Sequence, residues 1–123
     1  FYVFAGDETA LPAIARNLER LSPSARGIAF VEVADAHEEQ HVATDSQVEI
    51  RWLHRNGAEA GRTTLLEDAV RGVAWPSEGR RFAWIGAEQQ TVRNVGTYWR
   101  NDLKLDRSEH YAMAYWVLGR EMA

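Results

Sequence analysis

The first stretch whose residues could do chemistry is Gly6-Asp7-Glu8-Thr9, which separates a short apolar run from an amphipathic segment. Gly6 permits a sharp turn, and Thr9 is a good N-cap or first-turn residue for a helix. A helix that begins there directs free backbone N–H groups and its positive end at whatever lies above the sheet, which suits a phosphate. The stretch is therefore a candidate phosphate-binding turn.

The alternative for this turn is purely structural. It has one glycine where the dinucleotide fingerprint has three, and Asp7 and Glu8 would repel a phosphate if their side chains faced it. In that case Asp7, Glu8 and Thr9 cap the helix and complement its dipole. Residue types and spacing alone favour this capping role.

A second candidate is His37-Glu38-Glu39-Gln40-His41, which matches the H-E-x-x-H pattern of zinc hydrolases. In that pattern two histidines on one helical face bind the metal, and the glutamate is the base. Here the segment is short, acidic and without apolar periodicity, so we expect a solvated polar turn and no metal site. A serine or cysteine triad is equally unsupported, because the chain has no Cys and no G-x-S-x-G.

Composition narrows the class of protein. The chain has 123 residues, 46% of them hydrophobic and 26% charged, which predicts one globular domain. With 14 basic and 18 acidic residues the net charge is −4 and no basic run occurs, so nucleic acid and membrane insertion are not expected. The lack of Cys fits a cytoplasmic protein. Because Phe1 starts directly in a strand without an initiator Met, we expect a fragment of a longer protein.

Apolar periodicity predicts five strands alternating with helices, the strands being 1–5, 27–34, 48–53, 81–86 and 110–119. Three amphipathic helices are predicted near residues 11–21, 65–73 and 92–103, and one or two helical turns at 35–41. The pattern indicates an α/β fold: a three-layer sandwich with a five-stranded, mostly parallel, Rossmann-like sheet. Ligands of such sheets lie at the carboxyl ends of the strands, where the strand order reverses. The turns after strands one and four are therefore the site candidates.

Several segments in this order resemble the siderophore-interacting protein family: GDETALPAI (6–14), VEVAD (31–35) with EEQ (38–40), WLHR (52–55), WIGAE (84–88) with VR (92–93), and AYWVLG (114–119). Members of that family are flavin-dependent, NAD(P)H-using ferric-siderophore reductases related to the ferredoxin reductases. The resemblance implies that this chain is their C-terminal NAD(P)H-binding domain. It also implies that FAD is held by an N-terminal β-barrel absent from this sequence, and that a ferric siderophore and this FAD domain are the partners.

The resemblance also implies cofactor-binding residues. Gly6, Asp7 and Thr9 become cofactor contacts, because the Thr9-to-Pro12 segment is similar to the Thr-Gly-Ile-Ala-Pro turn of ferredoxin reductases. Asp35 follows the second strand, where it either binds a ribose hydroxyl or forms an Asx turn.

The fourth and fifth strands carry the remaining site candidates. Gly86, Ala87 and Glu88 correspond to a family Ala-Gly-Glu element, and the exchange of Gly for Ala87 argues against very close backbone approach to a ligand. Trp116 is expected near the flavin, with a plain core position as the alternative. The family usually has Arg or Lys directly after this Tyr-Trp pair, and here Arg120 is the candidate substitute for attracting an anionic ferric siderophore.

The implied reaction passes a hydride from NAD(P)H to FAD and then single electrons to ferric iron, so no acid–base residue is required. The fragment alone is expected to be inactive. The rival interpretation is a non-redox nucleotide- or protein-binding α/β module, and a zinc hydrolase through His37 and His41 is a third. The sequence leaves the choice between NADH and NADPH open.

Overall fold

The computed structural model describes residues 1–120, in which five strands form one sheet. Its order is β3-β2-β1-β4-β5, and every neighbouring pair is parallel. The strands are β1 (Tyr2–Asp7), β2 (Arg26–Val33), β3 (Gln47–His54), β4 (Phe82–Glu88) and β5 (His110–Trp116). The predicted fold class is confirmed.

Three helices cover the two faces of this sheet: α1 (Leu11–Arg20), α2 (Leu65–Arg71) and α3 (Gln89–Asn101). On one face α1 buries Leu11, Ile14 and Leu18 against the apolar side chains of β1 and β2. On the other face α2 and α3 enclose a second core, in which Trp99 is fully buried. Two apolar cores, one on each side, make the molecule a three-layer sandwich. Within residues 1–120 the structure contains no helix long and apolar enough to cross a membrane.

Several local boundaries differ from the sequence expectation, among them those at the start of α1 and the end of β5. Ala10, and not Thr9, is the N-cap residue of α1, because the Thr9 hydroxyl turns back to the Asp7 carboxylate. Residues 35–41 hold a single 3-10 turn, Ala36–Glu38, in line with the one or two helical turns expected there. Strand β5 ends at Trp116, since the amide of Leu118 leaves the sheet to donate to Glu88.

The strand order reverses between β1 and β4, which lie side by side at the centre of the sheet. Gly6 and Gly86 are opposite each other at the carboxyl end of this pair. A Cβ atom on Gly6 would lie 2.9 Å from the Gly86 carbonyl oxygen, the Ala10 Cβ and the Ile14 Cδ1. Glycine at position 6 is thus required for α1 to start close above the sheet, and the two candidate turns meet at one crevice.

We predict that Gly6→Ala destabilises the fold by about 1–3 kcal/mol, the usual cost of overpacking a dense interior. Gly72→Ala is the matched control, because a Cβ there would make only ordinary contacts of 3.5 Å. Urea unfolding followed by circular dichroism measures both changes. Equal stability of the two variants would show that close packing at Gly6 is not needed.

Candidate functional site

Three carboxylates lie side by side at the carboxyl edge of the sheet. Glu32 is the last residue but one of β2, Asp7 ends β1 and Glu88 ends β4, and they are 5%, 4% and 5% exposed. The loop that follows β3 covers them, with Gly61 and Thr63 beside the three acids. A charge buried to this degree needs hydrogen-bond donors, so the contacts of each acid define what the edge can still bind.

Asp7 is matched by donors from both ends of the chain. Its Oδ1 accepts the amide N–H of Thr9 at 3.0 Å and also the Thr9 hydroxyl. Its Oδ2 accepts the indole N–H of Trp116 at 2.7 Å. The Asp7 charge is therefore engaged with Thr9 and Trp116, and the repulsion of a phosphate that the sequence suggested is reduced.

Trp116 lies at this edge and in neither apolar core. Its indole packs on Gly61, whose φ is +84° and whose added Cβ would lie 2.8 Å from the ring. Tyr115, by contrast, packs in the α1-side core with its ring centroid 6.1 Å from that of Trp84. Of these two neighbouring aromatic residues, Trp116 is the one that bonds Asp7 at the carboxyl edge.

Arg55 joins two of the acids that surround the crevice. Its Nη1 lies 3.1 Å from Glu32 Oε2 and its Nη2 lies 2.9 Å from Glu8 Oε2, while its side chain is 8% exposed. Thr63 donates its hydroxyl to the other Glu32 oxygen at 2.7 Å. Burial acts to lower the pKa of Arg55, but its hydrogen bonds with Glu8 and Glu32 outweigh burial and raise it, so the guanidinium stays charged.

Sequence reasoning did not single out Glu32 or Thr63 as site residues. The sequence did contain a signal for Glu32, which is the one carboxylate in the apolar part of β2. A buried acid at such a position needs a partner. Thr63 gave no such signal, because a threonine in a loop is ordinary.

Glu88 and Ala87 have contacts inside the protein. The Glu88 carboxylate caps α3 by accepting from the amide of Gln90 at 2.8 Å, and it also accepts from the amide of Leu118 at 3.1 Å. The methyl group of Ala87 is buried in the core on the α2 and α3 side. Gly86 is closely packed as well, because a Cβ there would lie 2.7 Å from the Tyr115 ring.

Asp35 follows β2 and Arg120 follows β5, so each comes after the carboxyl end of its strand. The carboxylate of Asp35 accepts from the amide of His37 at 2.8 Å, which is the Asx turn foreseen as one of its two alternatives. Arg120 is exposed, and its amide donates to the Val117 carbonyl, which closes a turn after β5.

The H-E-x-x-H segment does not form the helical face that zinc binding requires. His37 sits in the 3-10 turn and His41 in the irregular chain that follows, while Glu39 lies 2.6 Å from His54. Within the described part of the chain, the side chains form no group of three or more His, Asp or Glu that could hold a metal ion.

The remaining donors at the crevice are backbone amides at the start of α1. Helical geometry leaves the N–H groups of Leu11 and Ala13 without an intrahelical acceptor, and Pro12 has none to satisfy. The first turn contains no acidic residue and Ala10 provides no side-chain cap. These donors fit a pyrophosphate, because the acids next to them are already engaged with Trp116, Thr9 and Arg55.

A cavity of about 300 Å³ adjoins these amides on the β2 side. It lies between the start of α1, the end of β2 and the segment 38–42, and its lining includes Glu8, Leu11, Pro12, Val33, Glu38 and His41. Its position beside the second strand is that of an adenosine site in a sheet of this topology.

Residues 1–119 match the sequence model of a family described as siderophore-interacting protein. The chain belongs to the siderophore-interacting protein family. A ferric vibriobactin reductase, ViuB, of Vibrio cholerae is 29% identical over 98% of this chain and 44% of its own length. An uncharacterised protein of Mycobacterium tuberculosis is 36% identical over 98% of this chain and 45% of its own length.

Solved structures agree with this assignment. A siderophore utilization protein from T. fusca superposes with a TM-score of 0.91 at 40% identity, covering 98% of this chain and 46% of its own. The siderophore-interacting protein SipS of Aeromonas hydrophila gives a TM-score of 0.83 at 28% identity, covering 98% and 47%. The chain thus spans less than half the length of the relatives that it matches.

We predict that Arg55→Met destabilises the fold by about 3–5 kcal/mol, because it leaves Glu32 buried without its cation. Arg51→Met is the control, since the pair of Arg51 with Glu49 is exposed and such pairs contribute only about 0–1 kcal/mol. Urea unfolding gives both values. A loss below about 1 kcal/mol for Arg55→Met would contradict the bridging role.

Proposed function

We propose that this chain is the NAD(P)H-binding domain of a ferric-siderophore reductase. The observation that carries the proposal is the meeting of the β1 and β4 turns at one crevice, beside free amides of α1 and a cavity of about 300 Å³. Membership of the siderophore-interacting protein family and likeness to a ferric vibriobactin reductase support the substrate class. The proposed partners are a ferric siderophore and an FAD-holding domain in the part of the relatives' length that this chain does not span.

In this proposal the chain binds and orients the dinucleotide. The amides of Leu11 and Ala13 hold the pyrophosphate, and Thr9 borders it from the turn. Gly6 and Gly86 keep the floor of the crevice low, because neither position has room for a Cβ. Asp35 lies at the ribose end, its carboxylate ordered by the His37 amide.

The opposite end of the crevice is assigned to the nicotinamide ring. Ala87 and Glu88 form the end of β4 there, and Trp116 forms the border toward the flavin, held in place by Asp7. Arg120 is the proposed cation for an anionic siderophore at this border.

A bound reduced nicotinamide would supply one hydride, whose two electrons would pass by way of FAD to two ferric ions. The products are NAD(P)⁺, one proton and two ferrous ions, which oxygen-rich siderophores bind more weakly than ferric ions. The chain contributes position and exclusion of water, and no side chain needs to transfer a proton. We place this activity in the cytoplasm, where NAD(P)H is available.

We predict that the full-length protein containing this chain purifies with bound flavin and releases two ferrous ions per NAD(P)H consumed in the presence of a ferric siderophore. Absorbance at the nicotinamide band and a ferrous chelator measure both quantities. The 123-residue chain should bind reduced dinucleotide in a calorimeter without oxidising it. A full-length protein without flavin that leaves ferric siderophore unreduced would refute the reductase and favour a non-redox binding module.

A further inference from the structure

We infer that the dinucleotide site selects NADH over NADPH, and that Glu8 and Glu38 set this choice. The inference rests on the proposed function and adds to it the phosphorylation state of the cofactor. The two dinucleotides differ only by a phosphate on the 2′-oxygen of the adenosine ribose, so the discriminating groups must lie where that ribose binds.

The ribose position follows from the topology. In doubly wound sheets the adenosine ribose lies beside the end of the second strand, where an acid accepts from the free 2′-hydroxyl or an arginine receives the 2′-phosphate. Strand β2 ends at Val33, and Val33 lines the cavity of about 300 Å³. The start of α1, which supplies the pyrophosphate donors, forms the opposite wall through Leu11 and Pro12.

The charges that line this cavity are negative. Glu8 and Glu38 contribute carboxylates, His41 contributes an imidazole, and no Lys or Arg is among the described residues of the lining. Asp35 adds a third carboxylate two residues beyond β2. A 2′-phosphate placed here would face like charges, whereas a 2′-hydroxyl would find acceptors.

Arg55 contacts the cavity wall through Glu8, and its guanidinium is already engaged in two ion pairs. It bonds Glu8 at 2.9 Å and Glu32 at 3.1 Å with a side chain that is 8% exposed. To receive a 2′-phosphate from the cavity, its Nη2 would have to release Glu8, whose carboxylate would then lie unpaired beside that phosphate. Within residues 1–120, the guanidinium that forms an ion pair with a lining residue is therefore already engaged before NADPH could bind.

The test measures binding and not turnover. Calorimetric titration of the 123-residue chain with NADH and with NADPH, at neutral pH and low salt, should give an NADH affinity at least roughly tenfold higher. The preference should shrink as salt is added, because the discriminating interaction is a repulsion between solvent-accessible charges.

Two variants locate the discriminating residues. Glu38→Arg should raise the affinity for NADPH at least about tenfold and lower that for NADH, which loses an acceptor for its 2′-hydroxyl; Glu38 is exposed, so its replacement does not disturb the core. Glu8→Gln should also raise NADPH affinity, because it removes a carboxylate from the cavity wall and releases the Arg55 Nη2 that now bonds it. Glu49→Arg is the control with the same change of net charge, because Glu49 lies on β3 and does not line the cavity.

The outcomes separate the two proposals. Equal or tighter binding of NADPH by the unaltered chain would overturn the NADH selectivity and leave the reductase proposal standing. Binding of neither dinucleotide would overturn both. An equal gain for Glu49→Arg and Glu38→Arg would show that net charge, and not this cavity, governs the preference, and would also overturn the assignment.

Discussion

Burial of carboxylates at the carboxyl edge of the sheet is the constraint on which the rest of this structure depends. An unpaired buried charge costs several kcal/mol, so every oxygen at this edge must be matched by a donor. The donors come from distant parts of the chain: Trp116 is 109 residues from Asp7, and Arg55 is 23 residues from Glu32. Satisfying these acids therefore fixes the loop after β3 and the end of β5 over the crevice.

The same constraint decides what the edge can bind. Because Asp7, Glu8 and Glu32 are engaged within the protein, the donors left at the crevice are backbone amides at the start of α1. The turn after β1 has two acids next to a helix start, so its sequence suggests that it is unsuited to phosphate. With both acids engaged, the turn is compatible with a pyrophosphate. Farther along the edge, the acids that line the cavity of about 300 Å³ are Glu8 and Glu38, and among the described residues only Glu8 forms an ion pair.

Much of the fold could be predicted from the sequence, because apolar periodicity is a local property. All five strands and three helices follow from it, and the α/β alternation implies a parallel sheet with a reversal of strand order. The adjacency of the β1 and β4 turns follows from that topology. Element ends were less predictable, as β5 shows: its end depends on the Leu118 amide, which bonds Glu88 on another strand.

The candidate site could be placed from the sequence but not resolved into contacts. The two turns were predicted, yet the donor for Asp7 and the acid for Arg55 depend on tertiary packing that no local pattern encodes. Asp35 shows the same limit, since the Asx turn and a ribose contact were equally compatible with its position and only the bond to the His37 amide reveals the turn. The sequence alone could not decide whether Trp116 belongs to the core. Its packing on Gly61 shows that it lies at the border of the crevice.

The most direct test of the central claim is a ¹H–¹⁵N correlation spectrum of the 123-residue chain during titration with a reduced nicotinamide dinucleotide. We expect the largest shift changes at the amides of Thr9, Leu11 and Ala13 and at Gly86, which surround the crevice. Gly27, at the opposite edge of the sheet, should not move. Shifts concentrated around Gly27, with the amides at the start of α1 unchanged, would contradict the account.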